Sequence, residues 1–241
     1  LEESHGKTTA GVYRKYYYKF LKAKKFVPRN VPNILIFDIE TAPTKAYVFK
    51  IFKENVPIDF IKAPWYMLSW SAKWLFDSEV YSSVLTPKEA KEENDKRIIK
   101  DLWKFIDHAD ILIGHNIIKF DTPKANTRYL KYGMKPPSPV RQIDTLLEAR
   151  KHFYLESNKL DYIARFLGVE GKKHHEGASM WTKCMNGDAE ALTNMDEYNR
   201  QDIHVTEDVY LALRPYMKTH PNLGLYYDDN STRCRNCGST N

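Results

Sequence analysis

Hydrophobic positions along this chain alternate between short continuous runs and longer helical stripes. Ile34-Leu35-Ile36-Phe37 is an unbroken apolar run, the pattern of a strand covered on both faces. It ends in Asp38-Ile39-Glu40-Thr41, and because side chains alternate along a strand, Asp38 and Glu40 share one face. Residues 46–52, 66–75 and 79–85 read as further strands. The aromatic stretch around Trp65, Tyr66, Trp70 and Trp74 is assigned to sheet core and edge. Pro87 opens a helix over 87–107, with Ile98, Ile99, Leu102 and Ile106 on one face. Residues 109–114 form a second apolar strand, followed by a helix over 123–132. Residues 142–146 are a weaker strand-like or turn segment. Residues 155–168 contain a helix with Leu160, Ile163, Ala164 and Leu167 on its apolar face and Gly168 as its C-terminal stop. Residues 169–186 read as loop, and 188–216 as one long helix in which Tyr198, Asp202, Val205 and Val209 share a stripe. Strand, helix and strand in this order predict an α/β core with right-handed crossovers.

The flanks carry a different pattern. In residues 1–30, Tyr13, Tyr17, Phe20 and Leu21 recur at helical spacing among Arg14, Lys15, Lys19, Lys22, Lys24 and Lys25. Two readings of this amphipathic arm stand: a helix packed on the core, or a basic stacking arm that touches nucleic acid. Pro28 and Pro32 separate it from the central strand. Residues 218–241 include Cys234-Arg235-Asn236-Cys237-Gly238. This is half of a zinc-knuckle pattern, to be completed by His220 or Cys184 or by a second half outside this chain, or else an untethered tail. Lys172, Lys173, His174 and His175 form a basic loop cluster.

Composition narrows the class. A length of 241 residues fits one domain with short appendages, here 31–217 between the two flanks, and 42% hydrophobic with 28% charged residues argues against disorder. A net charge of +6 and a pI near 9.0 favour a polyanionic partner. No run reaches the roughly 20 apolar residues of a membrane helix, and no signal-peptide pattern opens the sequence. The chain starts at Leu1, so its natural N-terminus is expected upstream. Three cysteines, two of them clustered at the end, do not make a disulfide framework, and a reducing, cytoplasmic setting is expected.

The acids carry the candidate chemistry. Two carboxylates on one face of a buried strand repel each other and are costly to desolvate, unless the strand has already run out into water. The usual remedy is a hard divalent cation. Asp121 follows the second strand, at a junction where functional groups of α/β folds collect and where an N-cap aspartate is equally at home. Asp202, on the inward stripe of the last helix, needs a partner.

Phe37-Asp38-Ile39-Glu40-Thr41, then Gly114-His115-Asn116 through Phe120-Asp121, then Tyr198-Asn199-Arg200-Gln201-Asp202 together resemble the DEDD exonucleases. The likeness is to their tyrosine-bearing branch, since the position five before Asp202 is Glu197 and not His. Asp144-Thr145 and the helix of 157–164 are similar to the proofreading domains of family B DNA polymerases. The basic arm and the Cys pair lie outside that pattern and look more like a stand-alone bacterial or phage exonuclease. The resemblance covers about 31–217 and implies a ribonuclease H-like fold, a mixed β-sheet flanked by helices. It also implies two Mg²⁺ or Mn²⁺ ions. Asp38 would bridge them, Glu40 and Asp202 would complete one shell, and Asp121 would hold the second ion. Tyr198 would orient the attacking water, since a phenol with an ordinary pKa of about 10 is a poor general base at neutral pH. Thr41, Asn116, Phe120 and Lys159, with Lys172 or Lys173, are the implied substrate contacts. The expected activity is 3′-to-5′ hydrolysis of single-stranded DNA. The rivals are an RNA-processing exonuclease of the same branch and a non-catalytic nucleic-acid-binding module.

Overall fold

The computed structural model describes residues 32–169, 177–227 and 231–240. The basic N-terminal arm and the Lys172–His175 cluster lie outside these residues. In chain order the elements are β1 (Ile34–Thr41), β2 (Lys45–Ala46), β3 (Ile61–Ala63), β4 (Met67–Trp74), β5 (Tyr81–Val84), α1 (Pro87–Lys91), α2 (Lys96–Asp107), β6 (Ile111–Gly114), α3 (Asp121–Lys131), β7 (Arg141–Asp144), α4 (Thr145–His152), α5 (Leu160–Phe166), α6 (Ala178–Met185) and α7 (Ala189–Leu213). Five strands make one sheet in the order β5-β4-β1-β6-β7. β1 runs antiparallel to β4 and parallel to β6, and β6 runs parallel to β7. This is the expected mixed sheet with helices packed on it.

β1 sits at the centre and divides the core by its alternation. Leu35, Phe37 and Ile39 enter a cluster with Trp70 and with Ile98, Ile99, Leu102 and Ile106 of α2. Ile34 and Ile36 enter the other cluster, with Ile163 of α5 and Ile203, Val205, Val209 and Tyr210 of α7. Period two then carries Asp38 and Glu40 onto the face shared with Ile34 and Ile36, the face that α7 covers.

Two buried ion pairs lock the layers. Lys73 of β4 and Glu207 of α7 are 1% and 0% exposed and 2.7 Å apart, and Glu207 also accepts from the Phe76 amide at 3.0 Å. Asp95, fully buried before α2, accepts from the Met67 amide at 2.8 Å, from Arg128 of α3 and from the Tyr132 hydroxyl. Burial and the Asp95 carboxylate push the Tyr132 phenol up to about 12.

Where structure and sequence pattern part, local chemistry explains the difference. The 87–107 helix is two helices: Thr86 caps α1 in a capping box with Glu89, and Glu93 at φ 52° breaks the chain before α2 restarts. Residues 46–52 are not a strand beyond Ala46, because Tyr47 to Phe52 have no layer to face and stand in solvent. The segment read as loop over 169–186 contains α6, which buries Met180 and Cys184 one turn apart. Residues 142–146 split into the end of β7 and the start of α4, with Asp144 as the N-cap. Gly168, at φ +67°, closes α5 as expected, and Pro215 turns the end of α7 into a 3₁₀ turn. Among the described residues no helix is long and apolar enough to cross a membrane.

Removing Lys73 leaves a carboxylate buried against an apolar wall. Lys73→Met is therefore expected to destabilise the fold by about 3–5 kcal/mol in urea unfolding. The double variant Lys73→Met/Glu207→Leu should regain most of that loss. Equal stability of Lys73→Met and wild type would refute the pair's role.

Candidate active site

Asp38, Glu40 and Asp202 come together. One carboxylate oxygen from each lies within 4.8 Å of the others, with Asp202 buried and the two strand acids half-buried. β1 supplies two of them by alternation and α7 supplies the third, one turn after Tyr198. Oxygen-only, anionic donors at this spacing suit a hard divalent cation such as Mg²⁺ or Mn²⁺. Asn199, fully buried on α7, donates from Nδ2 to Asp38 Oδ2 at 2.6 Å and so fixes that carboxylate's orientation. Tyr198 is nearly buried and stands edge-on to Trp181 of α6, with ring centroids 6.3 Å apart.

Asp121 takes a separate position. It is the first residue of α3 and makes no cap. Instead its Oδ1 accepts from the amide of Ile39, between Asp38 and Glu40, at 3.1 Å. β1's parallel ladder to β6 stops at Ile36, so Asp121 satisfies a strand amide beyond the ladder's end. Burial pushes its carboxyl up to about 7, Asp144's charge adds to the rise, and the Ile39 amide and the Lys124 ammonium oppose it. A cation would offset this cost in the same way.

The loop that delivers Asp121 is held by Asp144. Its carboxylate accepts from the amides of Asn116 at 3.0 Å and Ile118 at 3.2 Å while also capping α4 through Leu146 at 3.0 Å. Asn116 sits at φ +69°, a left-handed conformation tolerated by asparagine. His115 bridges the Thr145 hydroxyl and the Asn158 carbonyl, both at 2.9 Å.

Residues 73–214 match the RNase_H_2 model of the RNase_H superfamily, more than half of the chain. The chain belongs to the RNase H superfamily. The match takes in Asp121, Tyr198 and Asp202, while Asp38 and Glu40 precede it. Protein NEN2 of Arabidopsis thaliana is 29% identical over 104 residues, 38% of this chain and 21% of that protein. DNA polymerase III PolC-type of Pediococcus pentosaceus is 30% identical over 131 residues, 51% of this chain and 9% of that protein. The chain thus spans 21% and 9% of the length of these relatives. Among solved structures, the family B DNA polymerase from the hyperthermophilic archaeon Pyrobaculum calidifontis superposes with a TM-score of 0.57 at 17% identity, over 77% of this chain and 25% of that one. That likeness is one of fold.

Of the expected substrate residues, Thr41 and Phe120 directly adjoin acids of the site in the chain. Thr41, next to Glu40, accepts from Lys124 Nζ at 2.9 Å. Phe120 is 37% exposed, with the Lys124 ammonium 4.7 Å from its ring centroid. The exposed Lys159 lies at the start of α5, one residue from the Asn158 carbonyl that His115 grips. Asn199, Lys124, Trp65 and Asp144 were not singled out by the sequence pattern as site residues. Asn199 and Lys124 had a signal, each lying three residues from an acid on the same helix face. Trp65 had none, since only the fold sets its ring 4.2 Å from Lys124 Nζ.

Among the described residues the cysteine pair gathers no further ligand. His220 is buried against the Tyr210 hydroxyl and the Pro221 carbonyl, at 2.8 and 2.7 Å. Cys184 is in the core, with burial pushing its thiol up to about 12. Neither completes a site with Cys234 and Cys237, and among the described residues only Asp38, Glu40 and Asp202 form a cluster of metal-binding side chains.

Asp144→Ala removes a helix cap and two loop hydrogen bonds, with an expected cost of about 2–4 kcal/mol. Amide hydrogen exchange at Asn116 and Ile118 should accelerate. Unchanged protection of those two amides would show that the loop is held by something else.

Proposed function

We propose that this chain is a divalent-metal-dependent 3′-to-5′ exonuclease. It removes nucleoside 5′-monophosphates from single-stranded ends, DNA in preference to RNA, with residues 31–217 as its catalytic domain. One observation carries the reading: the convergence of Asp38, Glu40 and Asp202 within 4.8 Å, with Asp121 tied to the amide between the first two. Membership of the RNase H superfamily supports it, as does the fold shared with a DNA polymerase.

Hydrolysis adds water across the terminal P–O3′ bond. The attacking oxygen loses a proton and the departing 3′ oxygen gains one. Two divalent cations, when bound, supply charge stabilisation at the attacking and leaving oxygens and make the attacking water more acidic. Asp38, Glu40 and Asp202 would hold them, with Asp121 contributing from its place at the Ile39 amide. Asn199 keeps Asp38 in a single orientation. Tyr198 positions the attacking water by a hydrogen bond and does not take its proton. Lys124 and Thr41 face the terminal nucleotide beside Glu40, and the ammonium offsets part of the phosphate's charge.

A 5′-labelled single strand incubated with Mg²⁺ or Mn²⁺ should shorten stepwise from its 3′ end on a denaturing gel. Shortening should stop in EDTA and in Asp202→Ala. Tyr198→Phe should lower kcat by roughly tenfold or more with little change in KM. A matched RNA strand should be cut more slowly. A substrate left intact with both metals, or full activity in Asp202→Ala, would refute the assignment.

A further inference from the structure

Between Thr41 and Trp65 the chain leaves the sheet as a hairpin with a fixed neck and a bare tip. The neck is closed by β2 against β3, by the Ala42 amide on the Tyr66 carbonyl at 2.9 Å, and by a 2.6 Å ion pair from Lys45 to Glu93. Beyond it, Tyr47, Val48, Phe49, Ile51, Phe52 and Ile58 are 50% to 87% exposed. This is the longest run of exposed large apolar side chains among the described residues. Phe49 is already oriented, edge-on to Phe60 at 5.3 Å. An exposed patch of this kind marks a binding surface.

Charge and position identify the occupant. Three lysines (Lys50, Lys53 and Lys62) stand against two carboxylates (Glu54 and Asp59) over the same stretch, with Lys45 paired to Glu93 in the neck. Aromatic rings interleaved with ammonium groups suit a polyanion with exposed base faces. The neck is also continuous with the acid site. Thr41 follows Glu40, and its hydroxyl accepts from Lys124, whose ammonium stands over Trp65 on the hairpin's returning side at 4.2 Å. The aliphatic residues Ile51 and Ile58 would suit a protein surface equally well. The lysines and the continuity with the acids decide for nucleic acid.

We propose that the hairpin of residues 45–63 is a stacking arm for the unpaired strand that leads into the acid site. Bases upstream of the terminal nucleotide stack on Tyr47, Phe49 and Phe52, and the intervening phosphates meet Lys50, Lys53 and Lys62. A duplex hides its base faces, so the arm selects unpaired strands. The direction of entry rests on the exonuclease reading, but binding to the arm does not.

The test compares wild type with Tyr47→Ser/Phe49→Ser/Phe52→Ser in two assays. Fluorescence anisotropy with a 5′-fluorescein 20-nucleotide oligodeoxythymidylate in EDTA reads binding without cleavage. Hydrolysis of the p-nitrophenyl ester of thymidine 5′-monophosphate with Mn²⁺ reads the acid site alone. The variant should bind the oligonucleotide about tenfold or more weakly, from the loss of one or more stacked bases, and should cleave the small ester at the wild-type rate. Equal oligonucleotide affinity in variant and wild type overturns the arm, even if the variant loses self-association on gel filtration, and leaves the exonuclease reading standing if the ester is cleaved. Lost oligonucleotide binding in the variant, with the ester uncleaved by either protein, upholds the arm and removes the exonuclease reading.

Discussion

Three carboxylates held within 4.8 Å of one another repel, and the scaffold around them is arranged to withstand that repulsion. β1 is the central strand, and Asp38 and Glu40 are both paired to β4, so they cannot swing apart without breaking that ladder. The third acid stands on the 25-residue helix α7, pinned to β4 by the Lys73–Glu207 pair five residues beyond Asp202. Asn199 on the same helix turns one repulsive oxygen into a hydrogen-bond acceptor. Stability lost locally at this cluster is recovered by the two apolar layers on either side of the sheet, while the buried pairs fix how α7 sits on β4. Such a balance between a costly site and its supports is expected where a cation is to be bound.

Asp121 and Asp144 divide a second task. Asp144 spends its hydrogen-bonding capacity on a loop and a helix start, and so fixes where Asp121 stands. Asp121 then reaches the Ile39 amide, between the two strand acids. The site is thereby gripped by four elements of distant sequence. Its outer edge, through Thr41, Lys124, Trp65 and Phe120, presents cationic and aromatic groups.

Much of this was legible in the sequence where one local rule governed the outcome. The apolar run of 34–37 and the alternation after it gave β1 and the shared face of Asp38 and Glu40. The stripe of Tyr198, Asp202, Val205 and Val209 gave the inward face of α7. What escaped depends on partners far along the chain. α6 is short, and its two buried residues make sense only against α7 and α1, the latter some ninety residues earlier in the chain. The 46–52 run has strand composition, but nothing in the fold covers it, and composition alone does not supply a facing layer. Asp121 had the position of an N-cap, and only the end of the β1–β6 ladder explains why its carboxylate goes to Ile39 instead. Trp65 belonged to an aromatic stretch assigned to sheet core and edge, yet the strand starts two residues later and leaves its ring beside Lys124.

The central claim is that the three converging carboxylates are a cation site. Titration with Mn²⁺ followed by electron paramagnetic resonance tests this directly, because the signal of free Mn²⁺ diminishes as ions are bound. Wild-type protein is predicted to remove Mn²⁺ from solution, and Asp38→Ala to lose that binding while keeping its fold by circular dichroism. Identical binding curves for the two proteins, or free Mn²⁺ throughout with wild type, would contradict the account.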